Sequence, residues 1–297
     1  MIRYSSTRAE MEAAIEALDD KWLSKAAKRT EKFRAIGTFQ EKSSIWSDIK
    51  PILIDVQRDK CAYCERKFEG VMYGKIEYDV EHFRPKSSVP VWPDCRKHPS
   101  LSYSFTTGEE FQTGYWWLAY DIGNYAAACK VCNTIFKLNF FPIAGHRCEN
   151  ADDPLALAAE EQYLCNPIGD DDADPETLVS FVATTAVPAV RRGPRNRRGR
   201  VIIDFFGLNL REILHRERAQ TIALFGSALE AKARGAATAE DDAIIGRIGD
   251  PAIPHASCLR SFHRLWTKDR ALGRRTYDLC RSYAVSNAGT APPDIRR

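Results

Sequence analysis

Two C-x-x-C pairs, Cys61/Cys64 and Cys129/Cys132, stand 64 residues apart in a chain of 297. Each pair brings two thiolates within reach of one ion. Two pairs complete a tetrahedral four-sulfur set, the closed coordination of structural zinc. With no open position left for substrate, this metal is expected to hold the fold together and to do no chemistry. Nine cysteines cannot all pair within one chain. With no apolar leader-like run over Met1 to Asp20, the doubled spacing points to metal and not to disulfides. No βαβ pattern surrounds either pair, which argues against thioredoxin-like redox chemistry. Cys95/His98 and His146/Cys148 sketch a weaker second set without partners at knuckle spacing, and Cys165, Cys258 and Cys280 read as small apolar residues.

At 44% hydrophobic the chain can bury a substantial core, which excludes a disordered tail or a disulfide-stapled miniprotein. Apolar spacing predicts helix over 8–36, with Met11, Ile15, Leu18, Trp22 and Leu23 on one stripe. A second helix is predicted over 44–60, kinked at Pro51. Further helices are expected over 201–232, broken at Gly207-Leu208-Asn209, and over 258–286. Residues 233–256 read as loop or weak helix, and the tail from Asn287 as frayed. Between Lys60 and Pro142 the chain turns Cys- and aromatic-rich, with a strand-like run at Ile76–Val80 and an irregular insertion over 89–113. The expected organisation is 1–58 helical, 59–145 a zinc-bearing core, 146–200 a charged connection and 201–297 helical. No apolar run approaches the roughly 20 residues of a membrane span, so a soluble, cytoplasmic protein is expected.

The formal charge of +3, from 43 Lys+Arg against 40 Asp+Glu, is a cancellation of opposed blocks. Ten acids and no base fill Glu149–Glu176, followed by Arg191, Arg192, Arg195, Arg197, Arg198 and Arg200 without an acid among them. Broken by Gly193, Pro194 and Gly199, the arginines read as a flexible cationic segment suited to phosphate contacts that carry affinity without sequence readout. The competing assignment is pairing with the acidic block. Gly70–Lys75, G-x-x-x-G-K-I, is one residue short of a phosphate loop and lacks its Ser/Thr, so no ATPase is visible.

Between the knuckles lies Tyr78-Asp79-Val80-Glu81-His82-Phe83-Arg84-Pro85-Lys86, and later Asn124, Asn133 and Lys137. Phosphodiester hydrolysis needs a neutral imidazole to take a proton from water, and His82 is the candidate. It also needs an oxygen-ligated divalent ion, for which Glu81 and Asn133 offer a carboxylate and an amide. Asp79 shares a strand face with Glu81 by alternation and is a weaker substitute ligand. Lys137, one helical turn past Asn133, is a candidate phosphate contact, or else a solvated lysine.

The order Cys-x2-Cys, Glu-His, a central Asn, then Cys-x2-Cys-Asn resembles the zinc-stapled HNH (ββα-metal) endonucleases. The resemblance implies an α+β fold with a ββα-metal core inside a mainly helical chain. It makes His82 the general base, Glu81 and Asn133 ligands of catalytic Mg2+ or Mn2+, and Asn124 the residue supporting the base's loop. Here Glu replaces the commoner Asp, and Asn133 replaces His, which leaves the preferred metal open. Looser stretches at Trp46–Glu65, Glu81–Lys86, Asn166-Pro167 and Ile203–Asn209 with Arg211 resemble one branch of these proteins, the HNH partners of ATPases in Septu and retron-type bacterial anti-phage defence. That branch implies nucleic acid as substrate, DNA favoured over RNA, and a separate ATPase subunit. Two alternatives stand beside it: a zinc-stabilised nucleic-acid-binding or assembly module without catalysis, and a stand-alone restriction-type nuclease.

Overall fold

The computed structural model describes residues 1–69, 74–149, 154–286 and 289–293. They form two compact units, one of 4–59 with 68–173, the other of 1–3 with 60–67 and 174–297. Compactness thus groups the chain differently from the linear four-part organisation expected above.

The first unit opens with α1 (Arg8–Leu18), started by a reciprocal capping box between Thr7 and Glu10. The single helix expected over 8–36 is two. Asp19 leaves helical geometry and its carboxylate accepts from the Lys21 N–H (2.9 Å), restarting the chain as α2 (Trp22–Ile36), which Gly37 ends in the left-handed conformation. Pro51 does not kink a helix. It sits in the first turn of α3 (Lys50–Val56), where its missing N–H is no loss. The strand β1 spans Tyr78–His82, two residues later than the apolar run suggested, because Gly74–Ile76 forms a 3-10 turn. It pairs antiparallel with β2 (Tyr125–Cys129), His82 opposite Tyr125 and Tyr78 opposite Cys129. A π-helix over Val131–Lys137 follows β2, and a short α4 covers Pro154–Ala159.

The excursion 83–124 between the strands carries no α-helix and is clipped by one bridge, Val89 to Phe111. Aromatic packing replaces regular structure: Tyr115 meets Phe111, Trp117 and Phe141 edge-on. Gly114, at φ +61°, is required because a Cβ there would run into the Ser87 carbonyl. Buried Glu160 accepts from Arg84 Nε (3.0 Å), Tyr115 Oη (2.6 Å) and the Cys148 N–H (2.9 Å), so Arg84 is committed to structure.

The second unit contains an antiparallel hairpin, β3 (Val179–Val182) and β4 (Thr185–Pro188), that no feature above anticipated. The arginine segment, read as flexible, is helical from Pro194 on, with Arg191 and Arg192 in a bend just before the helix. Gly193 (φ +85°) and Pro194 start α5 (Pro194–Phe205), and arginine is itself a good helix former. Gly199 lets α5 lie flush on the hairpin, since a Cβ would strike the Leu178 carbonyl. Then come α6 (Glu212–Ala233), α7 (Ala239–Gly246, with a Thr238/Asp241 capping box), α8 (Ala256–Lys268) and α9 (Arg270–Ala284). The last two replace one expected helix, because Asp269 ends α8 and caps α9. Ile222, Phe225, Leu259, Phe262, Trp266 and Tyr277 lie in their shared core. The expected frayed tail falls partly outside the described residues, at 287–288 and 294–297. No described helix is long and apolar enough to cross a membrane.

Candidate active site and metal centre

The first cysteine pair is a tight turn closed on its own backbone, and the second joins the end of β2 to the start of the π-helix. The Cys61 N–H donates to the Arg66 carbonyl (3.0 Å), the Glu65 N–H to the Cys61 carbonyl (3.1 Å), and Lys60 bridges Lys67. In the other pair the Cys132 N–H points at Cys129 Sγ, 3.4 Å away. All four thiols are buried, and their sulfurs lie within 4.8 Å of one another. Four sulfurs around a zinc at about 2.3 Å each stand just under 4 Å apart, so thiols gathered within 4.8 Å need only a small contraction to hold the ion. The chemistry of the donors, four soft thiolates and nothing else, favours zinc over magnesium or calcium. Among the described residues no second group of this kind forms. Cys95 is exposed, Cys148 is buried, and His98 Nδ1 accepts from the Asp94 N–H (3.1 Å).

The Glu-His pair lies at the end of β1, both side chains buried. His82 Nε2 stands 3.1 Å from the Ala119 carbonyl oxygen. A carbonyl can only accept, so Nε2 carries the proton and Nδ1 keeps a free lone pair. The ring is held on two sides by edge-on contacts, with Trp46 at 4.8 Å and Tyr125 at 5.1 Å between centroids. Tyr125 Oη donates to the same Ala119 carbonyl (2.6 Å), fixing the acceptor. Burial first, and then the Lys86 ammonium, push the proton affinity of His82 well below the usual histidine value. The imidazole is therefore neutral near pH 7, the state a proton acceptor needs.

Asn124 ties the loops around it. Its Nδ2 donates to the carbonyls of Arg84 (2.9 Å) and Leu118 (3.1 Å), and its Oδ1 accepts from the Arg84 N–H (2.7 Å). It therefore connects the turn after His82 to the segment that ends at Ala119.

Glu81, His82 and Asn133 line one cavity of about 120 Å³, with Val80, Pro85, Lys86, Leu138 and Asn139. Burial pushes the Glu81 carboxyl's proton affinity up, against the pull of Lys137, whose ammonium stands 3.1 Å from Oε1. No donor meets that buried oxygen at hydrogen-bonding geometry. A carboxylate and an amide lining one cavity are hard donors of the kind that fits a divalent cation, although Lys137 already stands on Oε1 as an ion pair. Asp79 is engaged elsewhere, with Lys130 Nζ at 2.8 Å and Lys50 Nζ at 3.5 Å.

Lys137 does not present itself to a ligand. The segment is a π-helix, with the Leu138 N–H reaching the Asn133 carbonyl at 2.8 Å, and the lysine points inward, fully buried, onto Glu81 and the His82 carbonyl (3.4 Å). Sequence reasoning also missed the Ala119 carbonyl and the rings of Trp46 and Tyr125, which orient the imidazole. Trp46 stood in a matched stretch, but no spacing rule connects it to His82.

Arg191, Arg192 and Arg195 are exposed at the start of α5, as are Arg197 and Arg200, while Arg198 is half-buried. Their unit carries 25 Lys+Arg against 14 Asp+Glu, and the unit holding Glu81 and His82 carries 18 against 26. Of the acidic block, Asp152 and Asp153 lie outside the described residues, as does most of Gly70–Lys75. Compared with protein-family models, curated proteins and solved structures, the chain gives no match.

Proposed function

We propose that the chain is a metal-dependent endonuclease of the HNH kind. The observation that carries the reading is the buried His82, its Nε2–H tied to a backbone carbonyl and its Nδ1 free, beside a cavity that also takes a carboxylate oxygen from Glu81 and an amide from Asn133. The chain order β1, β2, π-helix, with β1 and the π-helix lining that cavity and a four-cysteine cluster that includes the last residue of β2, supports it. In the reaction, Nδ1 of His82 takes a proton from water as the water oxygen bonds phosphorus. The bond to the 3′-oxygen breaks, and that oxygen leaves with the electron pair and takes a proton from solvent. Magnesium or manganese held by Glu81 and Asn133 would offset the charge developing on the phosphoryl and departing oxygens. Asn124 and Ala119 fix where the imidazole stands. The family resemblance implies 5′-phosphate and 3′-hydroxyl products, a role in anti-phage defence and a separate ATPase subunit.

Purified protein incubated with plasmid DNA or with RNA, with Mg2+ or Mn2+ and with chelator, tests the reading. Metal-dependent cleavage lost in Glu81→Gln is the expected result. No cleavage with or without an adjacent-gene ATPase would overturn it. One observation favours the non-catalytic alternative: Lys137 already neutralises Glu81 without any ion. That alternative expects zinc but no second divalent ion.

Nucleic acid would be engaged in part by the first turn of α5 and the residues just before it. Arg191, Arg192 and Arg195 form no ion pair or hydrogen bond among the described residues, and their unit carries the excess positive charge. Converting the three to serine is expected to lower the slope of log affinity against log salt by about 2–3, if each meets a phosphate. An unchanged slope would assign these arginines to something else.

A further inference from the structure

The cavity beside His82 contains one charged group that nothing in the reaction above uses. Lys86 lines it, and its ammonium lies over two rings, 4.8 Å from the centroid of Trp46 and 5.4 Å from that of Phe39. The side chain is half-buried, yet it has no hydrogen-bond acceptor and no carboxylate within ion-pair distance among the described residues. Burial lowers its proton affinity, against the longer-range pull of the Glu81 and Glu41 carboxylates, neither of which touches it. A partly desolvated ammonium without an anion in contact is a costly arrangement, and aromatic faces replace only part of the lost hydration. The other lysine of the region is differently disposed. Lys137 has its anion in Glu81 and its carbonyl in His82, and no surface left for a ligand.

We propose that Lys86 is the anion-binding group of this cavity, its ammonium taking a non-bridging oxygen of the phosphodiester that His82 serves, while Lys137 is structural. The cavity, about 120 Å³, has room for one tetrahedral oxyanion with water. Trp46 then has two tasks from one ring: its face carries Lys86, and it meets His82 edge-on. The cation and the proton acceptor are thereby held at a fixed spacing, which is what in-line attack on a bound phosphate requires. In identifying the anion as a phosphodiester, the inference rests on the endonuclease reading. The unpartnered cation itself does not.

The test uses the full chain with its zinc and two probes. Equilibrium dialysis against radiolabelled inorganic phosphate measures the anion site without any turnover, and steady-state cleavage of an oligonucleotide measures its use. Saturable phosphate binding is expected in wild type, weakened by about tenfold or more in Lys86→Met and kept in Lys86→Arg, the loss expected when a charged hydrogen-bond donor is removed. In cleavage, Lys86→Met is expected to raise KM or lower kcat/KM by a similar factor, with the melting temperature unchanged and Lys86→Arg restoring much of it. Equal phosphate affinity in wild type and Lys86→Met overturns the inference, even if both cleave. Wild type that holds phosphate through Lys86 but cleaves nothing keeps the anion site and removes the endonuclease reading. Wild type that binds no phosphate overturns the inference outright.

Discussion

His82→Ala is expected to lower the rate of phosphodiester cleavage by about 10²- to 10⁴-fold, the contribution of a positioned general base. The imidazole is bound to the fold by one hydrogen bond and two ring edges, so its removal leaves little unsatisfied. The Ala119 carbonyl keeps its bond from Tyr125 Oη at 2.6 Å, and no charged group loses a partner. The loss of activity should therefore far exceed the loss of stability. Circular dichroism melts recorded beside single-turnover cleavage would separate the two. A variant that cleaves as fast as wild type removes His82 from the chemistry. His82→Gln should be nearly as inactive, because an amide offers no basic nitrogen near pH 7.

The second large effect concerns zinc. Cys61→Ser or Cys132→Ser is expected to reduce bound zinc from one per chain to a small fraction and to lower the melting temperature by about 10 °C or more. The magnitude follows from two scales: structural zinc contributes about 10 kcal/mol or more in small domains, and a chain of this size loses about 2–4 °C per kcal/mol. The four thiols are buried within 4.8 Å of one another, so removing one leaves three sulfurs that must be either protonated or crowded as unneutralised thiolates. Cys95→Ser, at an exposed position outside the cluster, serves as the control and should change neither zinc nor stability. Metal analysis by mass spectrometry after dialysis checks the first claim. Zinc content unchanged in both variants would mean that the cluster is a group of packed thiols.

The parts of this site that were legible in the sequence are those built from a residue type at a fixed spacing. Two knuckles, a Glu-His dipeptide and an asparagine directly after the second knuckle are such features, and the structure brings Glu81, His82 and Asn133 to one cavity. What escaped has no spacing signal. The acceptor for His82 is a main-chain carbonyl of an alanine, which any residue could supply. Trp46 reaches the imidazole from 36 residues upstream, by a path that only the fold defines. Lys137 was placed by α-helical geometry, whereas a π-helix turns each residue less and puts its ammonium in the interior. The same limits appear in the scaffold. A break such as Asp19 is set by one carboxylate that takes the Lys21 N–H, against an apolar stripe that runs on through it. The hairpin Val179–Pro188 was missed although its strands are separated by two residues only. Its turn uses Ala183 at φ +51°, a position where glycine or asparagine would have been the signal. Arg191–Arg200 was read as flexible from Gly193, Pro194 and Gly199, but Pro194 starts a helix and Gly199 lies within it.

The division of charge between the units has a colloidal consequence. A protein at +3 should be almost inert toward ion-exchange media, yet this chain carries one unit with an excess of bases and another with an excess of acids. Each unit addresses a matrix of opposite sign, so the molecule should be retained by both cation and anion exchangers at low ionic strength. The same bipolar character makes copies of the chain attract one another when counterions are scarce. Added salt, with a screening length of about 10 Å at 0.1 M, should therefore dissolve the protein instead of precipitating it.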